Sequence, residues 1–328
     1  MVAGVTVAVL AGTWLLIFGL RRWLLAHAIL DRPVARSSHR VPVPRGAGLA
    51  LVPALVAGAL ALAAAGEAPA GTAVAMAAAA CLALISWRDD LHGLPVPLRL
   101  AAQALAVLVG LAVLPPGPVF QGLLPPPLDR AAAGLLWLWF VNLYNFMDGI
   151  DGIAAGETVS LGAGIALVLV RASAAGDGTA AMALLVAAAG LGFLPWNWHP
   201  ARIFLGDVGS VALGYILGWL LLVLAGKGYW APAVILPLYY LADASITLAR
   251  RIRRRERFWQ AHREHFYQRA VGQDGDHAAV ARTILAGNAV LIALALLAVT
   301  EPLAATALAG ITVAALLAWL QRRALHGR

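Results

Sequence analysis

Charge is what this chain lacks most. Only 12% of its 328 residues are Asp, Glu, Lys or Arg, about half the share of a soluble domain. A soluble fold is excluded on that ground. No polar domain, low-complexity linker or convincing internal repeat interrupts the sequence, so it reads as one integral membrane domain, residues 1–328. The single cysteine, Cys81, sits in an apolar run. It excludes an internal disulfide and leaves the redox compartment open. No basic residue precedes the first apolar run. A cleavable secretory signal lacks its charged start, so that run is expected to be retained as a span.

Apolar residues are abundant: 62% of the chain, with a mean hydropathy of +0.82. They come in runs near the length at which a helix crosses a bilayer. In lipid the backbone must satisfy its own hydrogen bonds. The expected fold is all-α, a polytopic transmembrane bundle of about eleven spans. These lie near 2–20, 46–65, 70–87, 98–115, 131–147, 157–171, 179–195, 210–226, 231–249, 281–299 and 303–320. With the N-terminus outside and the C-terminus cytoplasmic, 21 of the 24 basic residues fall in inner segments, leaving Arg130, Arg171 and Lys227 outside. That asymmetry follows the positive-inside rule. The net charge of +8 then reflects orientation, and no nucleic-acid partner is expected. The expected location is the inner cell membrane, with the candidate functional groups facing the cytoplasm.

The densest polar stretch is Asn142-Leu-Tyr-Asn-Phe-Met-Asp-Gly-Ile-Asp-Gly152. Asn142, Asn145, Asp148 and Asp151 recur every third residue at the end of an apolar run. Each step of three lags the previous group by about 60° on a helix. Neighbouring pairs can converge, but all four cannot share one face. Gly149 and Gly152 are expected to end the helix, with Asp148 and Asp151 at its mouth. Carboxylates at a bilayer edge are costly without a cation, substrate or water. Oxygen ligands of this kind suit Mg²⁺.

Four more inner segments carry candidate chemistry. Ser37-Ser-His-Arg-Val-Pro-Val-Pro-Arg-Gly-Ala-Gly48 offers His39, Arg40 and Arg45 to phosphate, for which the arginine fork is suited. The adjacent Asp89 and Asp90 repel, which favours a shared cation or a raised proton affinity in one of them. Alternatively Asp90 caps a turn and Asp89 pairs with Arg88. Asp207, in Phe204-Leu-Gly-Asp-Val-Gly-Ser210, lies on an accessible glycine turn or caps the next helix. Arg250 to Arg257 form a basic run suited to a surface helix on anionic headgroups. His262, Arg263 and His265 follow, with both histidines expected on one helical face as pyrophosphate or sugar contacts. Zinc there would need two further ligands.

Taken in order, these stretches resemble the polyprenyl-phosphate N-acetylhexosamine-1-phosphate transferases. The matching residues are His39…Pro44-Arg45-Gly46, Asp89-Asp90, Asn142-x-x-Asn145-x-x-Asp148-Gly-x-Asp151-Gly, Phe204-Leu-Gly-Asp207-x-Gly-Ser210 and the late His/Arg loop. The resemblance implies a Mg²⁺-dependent membrane transferase, with Mn²⁺ as an alternative ion. It would move sugar-1-phosphate from a UDP-N-acetylhexosamine to undecaprenyl phosphate and release UMP. It implies Asp207 and Asn145 as metal ligands, and Asp89 and Asp90 as groups that deprotonate the lipid phosphate or steer metal. Asp148 and Asp151 would hold nucleotide and cation, joined by Asn142 as a substrate contact. Arg45 would lie near the lipid phosphate, and His262, Arg263 and His265 would recognise the sugar nucleotide. The Ser-Ser-His and His-x-x-His-Phe-Tyr-Gln-Arg stretches look most like the O-antigen and capsule branch, rather than the branch that transfers a MurNAc-pentapeptide. A homodimer is implied by analogy alone. The rival reading is a proton-coupled transporter, which predicts acids at the bilayer midplane. Here most of the charge clusters at one edge.

Overall fold

The computed structural model describes residues 1–33, 41–256, 262–272 and 275–326. The first half comprises α1 (Val2–Ala26), a two-residue pair β1 (Leu30–Asp31) and β2 (Val43–Pro44), α2 (Gly48–Ala64), α3 (Thr72–His92), α4 (Val96–Ala112) and α5 (Pro126–Phe146). The second half holds α6 (Ile153–Arg171), α7 (Thr179–Asn197), α8 (Asp207–Gly226), α9 (Trp230–Ile235), α10 (Leu238–Arg253), α11 (Phe266–Val271), α12 (His277–Leu297) and α13 (Pro302–His326). The all-α polytopic expectation is met. Among the described residues, seven helices are long and apolar enough to cross a membrane: α1, α3, α6, α7, α8, α12 and α13. α2 and α4 are shorter apolar helices.

Helix fills each of the eleven apolar runs, but the ninth is not one helix. The run 231–249 breaks between α9 and α10 at Leu236-Pro237. Proline lacks the N–H of the helical ladder and clashes with the carbonyl four residues back.

α8 is the axis of the bundle. Its apolar window is buried throughout, as expected of a helix hydrophobic on every side. It packs on α3 and α5. Trp137 of α5 stacks on Tyr215 of α8 with centroids 4.6 Å apart and donates from Nε1 to its carbonyl at 2.9 Å. Tyr215 Oη in turn donates to the Ala106 carbonyl of α4 at 3.1 Å. These bonds satisfy polar atoms inside an apolar layer, where an unpaired group costs free energy.

The chain directions gather the polar motifs. α3 and α5 end, and α2 and α8 begin, at the same end of the bundle, because Arg45, Asp89, Asp90, Asn142, Asn145 and Asp207 all line one cavity.

Candidate active site

Two loops build the first part of the site. β1 pairs antiparallel with β2, Leu30 opposite Pro44. Phe204 then adds to the same strand: its N–H donates to the Pro44 carbonyl at 2.8 Å, and its own carbonyl accepts from Gly46 and Ala47 at 3.0 and 2.9 Å. This backbone pairing sets Arg45 beside the start of α8. Its Nη2 lies 2.6 Å from Asp207 Oδ1 and 2.7 Å from Asp90 Oδ1. Asp90 also accepts from the backbone N–H groups of Asp207 and Val208, at 3.1 and 3.0 Å. A carboxylate there meets both the orphan amides and the positive end of the helix dipole. Asp90 therefore caps α8, not a turn of its own loop, and its side chain is 2% exposed. The approach is so close that a Cβ on Gly206 (φ +77°) would stand 2.9 Å from Asp90 Oδ2.

Asp89 faces elsewhere. Its Oδ1 accepts from the Leu94 N–H at 2.6 Å and its Oδ2 pairs with Arg99 at 3.0 Å. Arg99, not Arg88, is its partner. Asp89, Asp90 and Arg99 all line a cavity of about 670 Å³. One wall of it is apolar, built by Leu82, Ile85, Leu100, Leu135, Leu138 and Trp139.

The Asn/Asp stretch divides between two sites. α5 ends at Phe146, three residues before Gly149. Gly149 serves close packing instead, since a Cβ there would meet Tyr267 Oη at 2.2 Å. Gly152, with φ +79°, is the N-cap of α6. Asn142 and Asn145 line the cavity. Asn142 Nδ2 donates to Gln103 Oε1 at 2.7 Å and to the Leu138 carbonyl at 2.8 Å. The Asn145 side chain, the Asp148 carboxylate and Asp207 Oδ2 have no hydrogen-bond partner among the described residues. Burial raises the Asp148 carboxyl to about 7; Arg45 opposes this, and Asp207, Asp90 and Asp151 add to it. These charges sense one another, so they form one electrostatic cluster.

Asp151 adds its charge to that cluster but makes its hydrogen bonds elsewhere. Its Oδ2 pairs with His199 Nδ1 at 2.6 Å and accepts from the Ala201 N–H at 3.1 Å, while its Oδ1 lies 3.2 Å from His277 Nδ1. Burial opposes ionisation there, but the two histidines and the amide outweigh it and hold its carboxyl below the ordinary value. Its oxygens are engaged by these partners, and neither Asp151 nor Asp148 is among the residues that line the cavity.

The late loop also differs from expectation. His262 and His265 precede α11 rather than lying on a helix. Their rings still stack, with centroids 4.9 Å apart, and both line the cavity. His265 is fixed by Asp243, whose Oδ1 lies 3.2 Å from its Nδ1. Asp243 also accepts from the Phe266 and Tyr267 amides at 3.0 and 3.2 Å. Burial, aided by the neighbouring His265 and Arg251, pushes His262 down to about 4. The basic run is only partly turned outward. Arg251 and Arg254 both bind Glu256 and Glu264, which pins this loop. Arg263 is half-buried and does not line the cavity. His39, Arg40 and Arg257 lie outside the described residues.

The sequence reading missed Arg99, Gln103, Asp243, Gln268, His199 and His277. Gln103 and Asp243 carried a usable signal: each is a polar group inside an apolar run, where function is the default expectation.

A bundle of apolar helices whose polar ends close around one charged cavity defines an integral membrane protein with a polar site at one end of the bundle. Sequence comparison names the group: residues 72–225 match glycosyl transferase family 4. A probable undecaprenyl-phosphate N-acetylglucosaminyl 1-phosphate transferase of Bacillus subtilis is 30% identical over 74% of this chain and 69% of its own. A decaprenyl-phosphate N-acetylglucosaminephosphotransferase of Mycolicibacterium smegmatis is 31% identical over 66% of this chain and 57% of its own. A phospho-N-acetylmuramoyl-pentapeptide-transferase of Moorella thermoacetica is 50% identical over 27% of each. The chain belongs to glycosyl transferase family 4.

Proposed function

We propose that this protein transfers N-acetylhexosamine-1-phosphate from a UDP-sugar to undecaprenyl phosphate or a similar polyprenyl phosphate. UMP is released, and a lipid-linked surface polysaccharide, of the O-antigen or capsule kind, is begun. The observation that carries this reading is the two-sided cavity: arginines, carboxylates and amides at one end, and an apolar wall between α3, α4 and α5. A phosphate on a lipid needs both. N-acetylglucosamine is the first sugar to test, because the relatives with the widest coverage are named for it.

The uncommitted oxygens of Asp207, Asn145 and Asp148 fit a hard cation of the Mg²⁺ class, with Mn²⁺ as its substitute. Mg²⁺ bound there would neutralise charge on the donor pyrophosphate. Arg45 holds Asp207 in place and presents positive charge to the incoming phosphate. Arg99 adds a second positive group on the cavity wall. His262, neutral at physiological pH, offers hydrogen bonds to the sugar nucleotide without altering the charge of the site. An oxygen of the lipid phosphate attacks the β-phosphorus of the UDP-sugar. The bond from that phosphorus to the bridging oxygen breaks, and UMP departs with the electron pair.

The active site faces the cytoplasm on this reading, where UDP-sugars are made. The test is UMP release from purified protein, undecaprenyl phosphate, Mg²⁺ and a panel of UDP-N-acetylhexosamines that includes a MurNAc-pentapeptide donor. Release with one donor and a matching lipid product is expected. No release with any donor, or uptake into vesicles without product lipid, would overturn the assignment. Label retained on the protein from UDP-sugar alone would replace direct attack by a covalent intermediate.

A further inference from the structure

Asp151, His199 and His277 make a second polar centre next to the cavity, and none of them lines it. They come from three separate segments: the turn before α6, the turn after α7 and the first residue of α12. Each offers one ligand atom, and these atoms all lie within 4.8 Å of one another. The imidazole rings face each other with centroids 5.1 Å apart.

We propose that Asp151, His199 and His277 bind one divalent transition cation of the zinc class, separate from the Mg²⁺ position, which ties the Asp148–Gly152 turn to α7 and α12.

The donor chemistry carries the choice of ion. Two imidazoles and one carboxylate suit zinc and its neighbours, with water completing the shell. Mg²⁺ takes oxygen and keeps its waters. Zinc–ligand bonds near 2.0–2.2 Å place adjacent ligand atoms of a tetrahedron about 3.3 Å apart. His277 Nδ1 stands 3.2 Å from Asp151 Oδ1, while His199 Nδ1 lies 2.6 Å from the other oxygen, Oδ2, so seating the ion takes an outward shift of His199 and a turn of the carboxylate. The His199 side chain is 36% exposed, which gives an entry path and room for the water.

The Asp151 backbone N–H points at His277 Nδ1, 3.2 Å away, and both residues are buried.

The test uses the full chain in detergent, stripped with a chelator and then held in excess Mg²⁺. Co²⁺ is titrated in and its visible d–d absorption followed. One equivalent is expected to bind, to be displaced by Zn²⁺, and to persist in Asp207→Asn. His277→Gln and His199→Gln are each expected to abolish the absorption. Zn²⁺ should raise the melting midpoint of the unsubstituted protein and leave both variants unmoved. Should His277→Gln fail to fold, His199→Gln at the exposed edge gives the same answer. No stoichiometric Co²⁺, absorption that survives His199→Gln, or absorption lost only in Asp207→Asn would refute the site. Because the readout is metal binding, the outcome does not depend on the transferase reading.

Discussion

Asp90→Asn is the sharpest probe of how this site is held. The carboxylate joins three elements: it accepts from two amides at the start of α8 and pairs with Arg45, while sitting at the end of α3. Asparagine keeps the size and loses the charge. One of its two terminal atoms becomes an N–H₂ donor, so it faces either the α8 amides or the Arg45 guanidinium with like polarity. Breaking a buried pair by changing one partner costs about 3–5 kcal/mol. Arg45 keeps 35% of its side chain exposed, and water screens what remains, so the lower end applies. At roughly 2 °C per kcal/mol for a large chain, a loss of ~3 kcal/mol lowers the melting midpoint by about 6 °C. The assay is thermal unfolding in detergent beside UMP release, for Asp90→Asn, Arg45→Leu and the double variant. The double variant should melt well above the sum of the two losses, because it removes both partners of the Arg45–Asp90 pair together and leaves only Asp207 without its arginine. A midpoint for Asp90→Asn within a degree of the unsubstituted protein, with only kcat reduced, would show that Asp90 acts on substrate and does not hold the fold.

Asp207→Ala should reduce UMP release at least about a hundredfold, the scale of losing one strong electrostatic group in a catalytic site, while raising the Mg²⁺ concentration needed for half-activity. Gly206→Ala forces a side chain into a glycine-only backbone region at φ +77° and ψ 165°; it should cost about 1–3 kcal/mol, read as a lower melting midpoint with activity falling in parallel. His262 predicts acid sensitivity. Its folded value near 4 lies below the unfolded value of 6.5, so the unfolded chain binds the extra proton between those limits. Stability from this group is present above pH 6.5 and is lost as pH falls toward 4. His262→Gln should flatten that limb of a melting-midpoint profile without shifting the profile above pH 7.

The apolar runs were legible because lipid permits few alternatives: length and hydropathy locate helices whatever they pack against. The break at Pro237 was legible in principle, since the proline stands in the middle of its run. The cavity was legible where a residue lines it from its own motif, as Asp207, Asn145 and Arg45 do. It was not legible where the partner is distant in the chain. Nothing near Asp89 points to Arg99 over Arg88, and nothing near Asp90 points to the amides of residues 207 and 208. Asp151 shows the same limit: its spacing from Asp148 suggested a shared ligand, but a glycine turn sends it to His199 and His277. Helical periodicity also misled at His262 and His265, which meet through a loop held by Asp243 and the Arg251–Glu264 pair.

Asp89 and Asp90 are neighbours, but the helix turns them about 100° apart, and each is neutralised by different groups. Asp90 is spent on the α8 terminus and Arg45. Asp89 remains at the cavity with Arg99 and the Leu94 amide. If one carboxylate removed a proton from the lipid phosphate, it would have to be Asp89. Yet a phosphate monoester already carries about −1.5 to −2 charges at pH 7, so the attacking group needs little help to ionise. What it needs is relief from repulsion by the donor pyrophosphate. On the transferase reading proposed above, the Asp89–Arg99 pair is expected to act through Arg99, with the carboxylate orienting the guanidinium toward the incoming phosphate. Asp89→Asn keeps an acceptor for Arg99 only by turning its N–H₂ toward the Leu94 N–H, and should retain partial activity with a raised KM for the lipid. Arg99→Leu should lose more, and lose it in both KM and kcat. A larger loss in Asp89→Asn than in Arg99→Leu, with KM for lipid unchanged, would return the proton-abstracting role to Asp89.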